Sequence, residues 1–316
     1  MTTSTTDARH QAFASRGRQR IAITGASGLI GSELTRFLRA GGHDVLRLVR
    51  RTPAAPDEVR WDPRTTTIDA PGLEGVDAVV NLAGEPVAER WTAAHKRGIR
   101  DSRVEGTALI ANTIATLQRA PRVLVNASAV GFYGDRGDEA LDERSGPGRG
   151  FLPDVARQWE AATEPAHGRG TRVAIARFGV VISPRGGALA RLLPFFRVGA
   201  GGKIGGGRNW MSTISLDDVV GAIHHLVFTD AIAGPANLTS PEPVTNADFA
   251  HTLGHVLHRP SIATVPEFAL RLAYGEMAEE TLLASQRVYP RVLEAHGFRF
   301  RHRTVEEQFR FELGRG

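Results

Sequence analysis

The sequence predicts an α/β fold: a doubly wound parallel sheet followed by a smaller C-terminal substrate lobe. Three observations carry this prediction. Short apolar runs alternate with amphipathic stretches between residues 20 and 183, and strands alternating with helices build parallel sheets covered on both faces. A glycine-rich turn, TGASGLIG, separates the first apolar run from the first amphipathic stretch. Beyond residue 183 the alternation gives way to helices joined by short irregular segments.

Taken in order, RIAIT (20–24) reads as the first strand. LIGSELTRFLRAGG follows, with Ile30, Leu34, Phe37 and Leu38 at helical spacing and Gly41 and Gly42 as its end. HDVLRLVR (43–50), EVRW (58–61) and VDAVVNLAG (76–84) are the next three strands. A long helix is expected from Arg90 to Gln118, then a strand over RVLVNASA (122–129). PDVARQWEAATEPA (153–166) reads as a helix with Pro153 in its first turn, and TRVAIARFGVVI (171–182) as the sixth strand. Further helices are expected at 187–197, 216–229, 246–258 and 267–285. The chain thus divides into a disordered tail (1–19), a sheet domain (20–183) to which later segments return, and a lobe (184–316). The tail is polar and acid-poor, so an organelle transit peptide is its alternative reading.

Composition excludes several classes. The 316 residues are 41% apolar, enough for a sizeable core. No apolar run is long enough to span a bilayer, so no membrane association is expected. Cysteine is absent, which removes disulfides, thiolate metal sites and a cysteine nucleophile. A cytoplasmic location fits that absence, and no metal site is expected. The net charge of +5 comes almost wholly from arginine, since Lys96 and Lys203 are the two lysines. The arginines are scattered, which reads as solvated surface rather than a nucleic-acid footprint. The expected partner is a small-molecule substrate, with a homodimer left open.

The glycine turn carries chemistry. Gly25 permits a tight turn, Gly28 lets a pyrophosphate approach the backbone, and Gly31 lets helix and strand pack closely. The helix start offers free N–H groups and partial positive charge, so Ser27, Leu29 and Ile30 are expected at the same phosphate site. This is the phosphate loop of a Rossmann dinucleotide-binding domain. The second strand ends in Arg50 and Arg51, with no carboxylate there to bind a ribose hydroxyl. Two guanidiniums suit a 2′-phosphate, so the expected cofactor is NADP(H). A pair of solvated arginines is the competing reading.

Further stretches act together: VRWDP (59–63), VVNLAGEPVAERW (79–91), SRVEGT (102–107), NASAVGFYG (126–134), RQWEAA (157–162), ARFGVVIS (176–183) and NLTSPEPVTNADFAHTLGHVLHRP (237–260). With LASQRVYPRVLEAHGFRFRHRTVEEQF near the end, and the GxxGxxG spacing, the chain resembles the atypical extended short-chain dehydrogenases of the SDR39U1-like epimerase group. The similarity covers about residues 20–313, and about 262–313 look like that group's C-terminal domain of unknown function. The resemblance implies that Arg50 holds the 2′-phosphate and that Asp62 approaches the adenine or its ribose, a turn residue before Pro63 being the alternative. Leu82, Ala83 and Gly84 would lie beneath the cofactor, with Glu85 and Arg90 close to it. Trp61 and Trp91 read as core packing.

In that superfamily a Tyr–x–x–x–Lys pair supplies the acid and base, the lysine holding the nicotinamide ribose and lowering the tyrosine pKa. Here Gly137, Ala278 and Leu293 stand four residues after Tyr133, Tyr274 and Tyr289, so the pair is absent. Val155 and Trp159 take the corresponding places, and their spacing predicts one helical face turned to the cofactor. Ser128 and Tyr133 remain as candidate catalytic residues, Tyr133 moving the proton with help from Ser128. A packed Tyr133 with a bonded hydroxyl is the alternative. Arg177 and Lys203 are the candidate substrate contacts, and Glu160 reads as a solvated helix carboxylate. Lys203 lies among six glycines between 199 and 207, a lid, a phosphate-lining loop or a mobile surface loop. Asp218 is expected to cap or brace its helix. Two functions stay open: an NADP(H)-dependent epimerase or oxidoreductase acting on a carbonyl or sugar-nucleotide-like substrate, and a non-catalytic NADP(H)-binding redox sensor or interaction protein.

Overall fold

The structure, a computed structural model, describes residues 17–315. The tail expected over 1–19 lies outside the described residues up to position 16. Where the description begins, Arg18 donates to the Asp44 carboxylate at 2.7 Å.

Eight strands form one sheet: β1 (Arg20–Thr24), β2 (Asp44–Val49), β3 (Glu58–Asp62), β4 (Thr67–Ile68), β5 (Ala78–Asn81), β6 (Val123–Ala129), β7 (Arg172–Phe178) and β8 (Gly234–Leu238). Their spatial order is β8-β7-β6-β5-β1-β2-β3-β4. Every pairing is parallel except that of β3 with β4. The chain runs outward from β1 to β4, then returns to the other side of β1 for β5 to β8. That reversal opens a crevice at the carboxyl ends of β1 and β5, where such sheets bind ligands.

The longer helices are α1 (Leu29–Ala40), α2 (Ala93–Thr116), α3 (Phe151–Ala161), α4 (Gly187–Arg197), α5 (Leu216–Phe228), α6 (Asn246–Leu257), α7 (Glu267–Tyr274) and α8 (Val305–Glu312). Period-two alternation in the strands supplies both sheet faces. Ile21, Ile23, Val80 and Val125 meet Leu34 and Leu38 of α1 and Val219, Ile223 and Leu226 of α5. Ala22, Val79 and Leu124 meet Ile110 and Ile114 of α2 on the other face. Each such aliphatic side chain, fully buried, contributes about 1.5–3 kcal/mol. A separate cluster joins Leu193 and Phe196 of α4, Phe249 and Leu253 of α6, and Phe309 of α8. Among the described residues no helix is long and apolar enough to cross a membrane.

Three expected elements are divided. The helix expected over 153–166 ends at Ala161, and a 3-10 turn follows at Glu164–Arg169. The strand expected over 171–182 breaks at Gly179, whose added Cβ would stand 2.4 Å from the Ser212 carbonyl oxygen. Past that point residues 180–182 leave the sheet and pair with 213–215. The helix expected over 267–285 stops at Tyr274, because Gly275 takes φ +59°. A π-helical turn follows at Ala278–Leu282. From that turn Glu280 reaches back to α3, accepting from the N–H groups of Phe151 at 2.8 Å and Leu152 at 2.6 Å. The carboxylate satisfies two donors that a helix start leaves without partners.

Candidate functional site

The crevice is bounded by the phosphate loop (Gly25, Gly28, Leu29, Ile30, Gly31) and by Leu82 and Val87 beyond β5. The end of β6 (Ala127, Ser128, Ala129, Gly131), Leu152, Val155, Ala156 and Trp159 of α3, and Arg103 of α2 form the opposite wall. Phe178, Gly179 and Val181 close one side.

The loop has the geometry a phosphate needs. Gly25 holds φ +65°, and its added Cβ would meet the Leu82 carbonyl oxygen at 2.9 Å. A Cβ on Gly31 would stand 2.2 Å from the Gly25 oxygen, whereas one on Gly28 meets only that oxygen, at 3.2 Å. No side chain caps α1 and no acidic residue stands in its first turn, so its positive end is open to an anion. Ser27 lies exposed on the same turn.

The two arginines after β2 part company. Arg51 is committed to Glu58, donating to its two oxygens at 2.8 and 2.5 Å. Arg50 is exposed, and no ion pair engages it among the described residues. It is therefore the guanidinium available to a 2′-phosphate. Three residues expected near the cofactor spend their bonds elsewhere. Asp62 accepts from the Arg64 N–H at 3.2 Å and pairs with Arg60 at 3.0 Å, the turn role left open above. Glu85 pairs with Arg64 at 3.4 Å. Arg90 turns to the lobe, donating to the Leu272 carbonyl at 2.9 Å at the end of α7.

Beneath the crevice lies a buried polar network. Thr24 donates to Asn81 at 2.6 Å and accepts from the N–H groups of Leu82 and Ala83 at 3.0 and 3.1 Å. Asn81 donates to Thr107 at 2.8 Å and Asn126 at 2.7 Å. Trp159 donates its indole N–H to Thr107 at 2.8 Å. Strand register explains the convergence, because Thr24, Asn81 and Asn126 are successive neighbours across β1, β5 and β6. Every buried donor so placed needs a partner, and the network fixes the backbone of Leu82 and Ala83, of which Leu82 lines the crevice. Val155 and Trp159 line the crevice as their spacing predicted.

The wall that holds the candidate catalytic residues differs from expectation. Ser128, Arg177 and Asn237 stand side by side across β6, β7 and β8. Glu160 of α3 lies over them. Ser128 donates its hydroxyl proton to Glu160 at 2.6 Å, and Arg177 donates to both Glu160 oxygens at 2.8 and 2.7 Å. Glu160 is thus a paired carboxylate, with 15% of its side chain exposed, and not a solvated one. Tyr133 is fully buried and does not line the crevice. Its hydroxyl donates to Asn237 at 2.8 Å and accepts from Arg177 at 3.0 Å. Burial pushes the phenol pKa up against the pull of Arg177, the opposite of what a proton-transfer tyrosine needs. This is the packed tyrosine of the alternative reading. Arg177, 4% exposed, is an anchor for Glu160 behind the wall. Burial opposes its charge, but the bonds to Glu160 and Tyr133 more than offset this and raise its pKa.

Lys203 is not at the crevice either. It sits on a short strand, Gly202–Ile204, paired with Ala263–Val265. The two glycines just before and at the start of this strand are packing glycines: a Cβ on Gly202 would fall 1.8 Å from the Ala263 oxygen, and one on Gly201 2.4 Å from the Phe196 ring. Asp217, Asp218 and His302 come together near α5. Asp218 accepts from the N–H groups of Arg301 and His302 at 2.9 and 3.0 Å, so its carboxylate ties the C-terminal segment to α5, while the cap of α5 itself is Ser215.

The sequence reading missed Arg103 and the pairing of Glu160. Arg103 had a signal: it stands four residues from both Ile99 and Thr107, on the buried stripe of α2. A charge on such a stripe is rarely left there without a partner.

A phosphate loop at the switch point of a doubly wound sheet, faced by a serine at the end of β6, defines a dinucleotide-binding Rossmann protein of the short-chain dehydrogenase type. The chain belongs to the NAD dependent epimerase/dehydratase family, whose model matches residues 21–237, and a domain of unknown function (DUF1731) matches residues 265–311. An epimerase family protein of Mycobacterium bovis is 47% identical over 91% of this chain and 95% of its own length. The human epimerase family protein SDR39U1, solved with NADPH, superposes with a TM-score of 0.87 at 31% identity, over 93% of this chain and 99% of that one. A nucleoside-diphosphate sugar epimerase structure from Corynebacterium glutamicum has a TM-score of 0.79 at 38% identity, covering 97% of this chain and 62% of that one.

Proposed function

We propose that the protein is an NADP(H)-dependent oxidoreductase or epimerase acting at a hydroxyl-bearing or carbonyl carbon of a small molecule. The observation that carries this reading is the Ser128–Glu160 hydrogen bond of 2.6 Å at the crevice wall. The open positive end of α1, the cradle at Gly28 and the uncommitted Arg50 fit a dinucleotide with a 2′-phosphate. NADPH in the human relative supports that choice. The sugar-nucleotide class is favoured by the name of the corynebacterial relative.

Bound NADP(H) supplies or takes the hydride. The chain's own residues handle the proton. Ser128 Oγ is placed to accept the proton of a substrate hydroxyl while passing its own to Glu160. In the reducing direction a protonated Glu160 returns it by the same route. Arg177 holds the carboxylate in line, and the apolar surfaces of Val155 and Trp159 exclude water. The path replaces the missing Tyr–x–x–x–Lys with groups from β6 and α3.

Arg50→Ala should weaken NADPH binding by about ten- to a hundredfold, the value of a charged contact of about 1.5–3 kcal/mol. NADH binding should be unchanged, and calorimetry with both cofactors is the check. Equal wild-type affinities for the two would remove the 2′-phosphate site. In a screen of carbonyl and sugar-nucleotide substrates with NADPH, Ser128→Ala and Glu160→Gln should each lower turnover by about 10²–10⁴-fold. Rates that survive both changes would overturn the proton path. Tight NADPH binding without turnover on any substrate would favour the redox-sensor reading instead.

A further inference from the structure

Arg103 brings an unmatched charge into the crevice. Its guanidinium carbon is 5.1 Å from the Trp159 ring, and an added Cβ on Gly84 would stand 3.1 Å from it. Its Nη1 donates to the Ile99 carbonyl of its own helix at 3.0 Å. No ion pair engages it among the described residues; the nearby Glu85 pairs with Arg64 instead. Burial pulls its pKa down to about 10, with Glu85 opposing. A guanidinium has five donors in a rigid fork, and removing one from water without an acceptor is costly unless a ligand completes it.

Position decides which ligand atoms it meets. Arg50 follows β2, on one side of the phosphate loop. Arg103 shares a wall with Ser128 and Trp159, on the β6 side of the loop. A dinucleotide whose adenine end lies at Arg50 and whose pyrophosphate lies on the loop reaches Arg103 with its other half. Resting on the NADP(H) reading above, we infer that Arg103 binds the nicotinamide-side half of the cofactor through its ribose and phosphate oxygens. The cation comes from α2 and stacks on Trp159, the residue that takes the lysine's place on α3.

The test compares two ligands by calorimetry on the full chain. NADPH has both halves; adenosine 2′,5′-bisphosphate has the adenine half and the 2′-phosphate only. Arg103→Met should weaken NADPH by about tenfold or more, and leave the bisphosphate within about twofold of wild type. Arg50→Ala should weaken both. The ligand-free Arg103→Met protein should melt at or above the wild-type temperature, because an uncompensated charge has gone. Arg103→Lys keeps the charge and should fall between wild type and Arg103→Met for NADPH. If Arg103→Met does not fold, Arg103→Lys must by itself bind NADPH more weakly than wild type with the bisphosphate unchanged. Unaltered NADPH affinity, equal losses on both ligands, or a lowered melting temperature with unaltered affinity would overturn the inference. A wild-type protein that binds neither ligand would instead sink the NADP(H) reading on which it rests.

Discussion

Replacing Glu160 with alanine is expected to cost about 3–5 kcal/mol of folding stability, the penalty for stranding a buried charge. The stranded group is Arg177, with 4% of its side chain exposed, held between Glu160 and the Tyr133 hydroxyl and stacked 3.6 Å from the Phe132 ring centroid. Water cannot reach it to replace the lost carboxylate. The double change Glu160→Leu with Arg177→Met should recover most of the loss, since two apolar groups of similar volume leave no charge behind. Urea unfolding of the two single variants and the double variant measures this directly. A Glu160→Ala protein within about 1 kcal/mol of wild type would mean that the pair is solvated and that the wall is not built as described.

Gly31→Ala and Gly28→Val should fail in different ways. At Gly31 a single methyl would stand 2.2 Å from the Gly25 oxygen and 2.8 Å from the Ala26 Cα, both backbone atoms. The loop cannot yield without parting α1 from β1, so the loss should exceed about 3 kcal/mol, at the severe end for overpacking. Gly28 has φ −74° and only the Gly25 oxygen near its missing Cβ, at 3.2 Å. A valine fits the fold there but fills the space a pyrophosphate would take. Gly28→Val should therefore melt near wild type and bind NADPH more than about a hundredfold more weakly, since the whole phosphate contact is blocked. Circular dichroism and calorimetry separate the two outcomes. NADPH binding by Gly28→Val at wild-type strength would take the loop out of the site.

The parts legible in the sequence are those set by local rules. The glycine turn, the strand–helix alternation and the uncapped start of α1 depend on residues within one βα unit, so their spacing declares them. The face shared by Val155 and Trp159 is likewise a matter of helical period. The wall around Glu160 depends on register between strands far apart in sequence. Ser128, Arg177 and Asn237 become neighbours only because β6, β7 and β8 pair as they do. No local pattern reveals that Glu160 will find Arg177, or that Tyr133 will be sealed behind both. The resemblance singled out Arg50, but what sets Arg51 apart lies on another strand: Glu58, buried on β3, takes it. The glycines at 199–207 left a lid, a phosphate-lining loop and a mobile loop open, because sequence shows their freedom and hides neighbours such as the Ala263 backbone and the Phe196 ring.

Glu280 sets an order on the chain's synthesis. The helix start it caps lies 129 residues upstream. A nascent chain has its phosphate loop by residue 31 and all the strands of the sheet by residue 238. The first turn of α3 still lacks its two acceptors until Glu280 has been added and has left the ribosome. The glycine loop is thus synthesised well before the carboxylate that caps the helix bearing Glu160. A chain cut short before residue 280 would leave the first turn of α3, the helix that bears Glu160, without these acceptors.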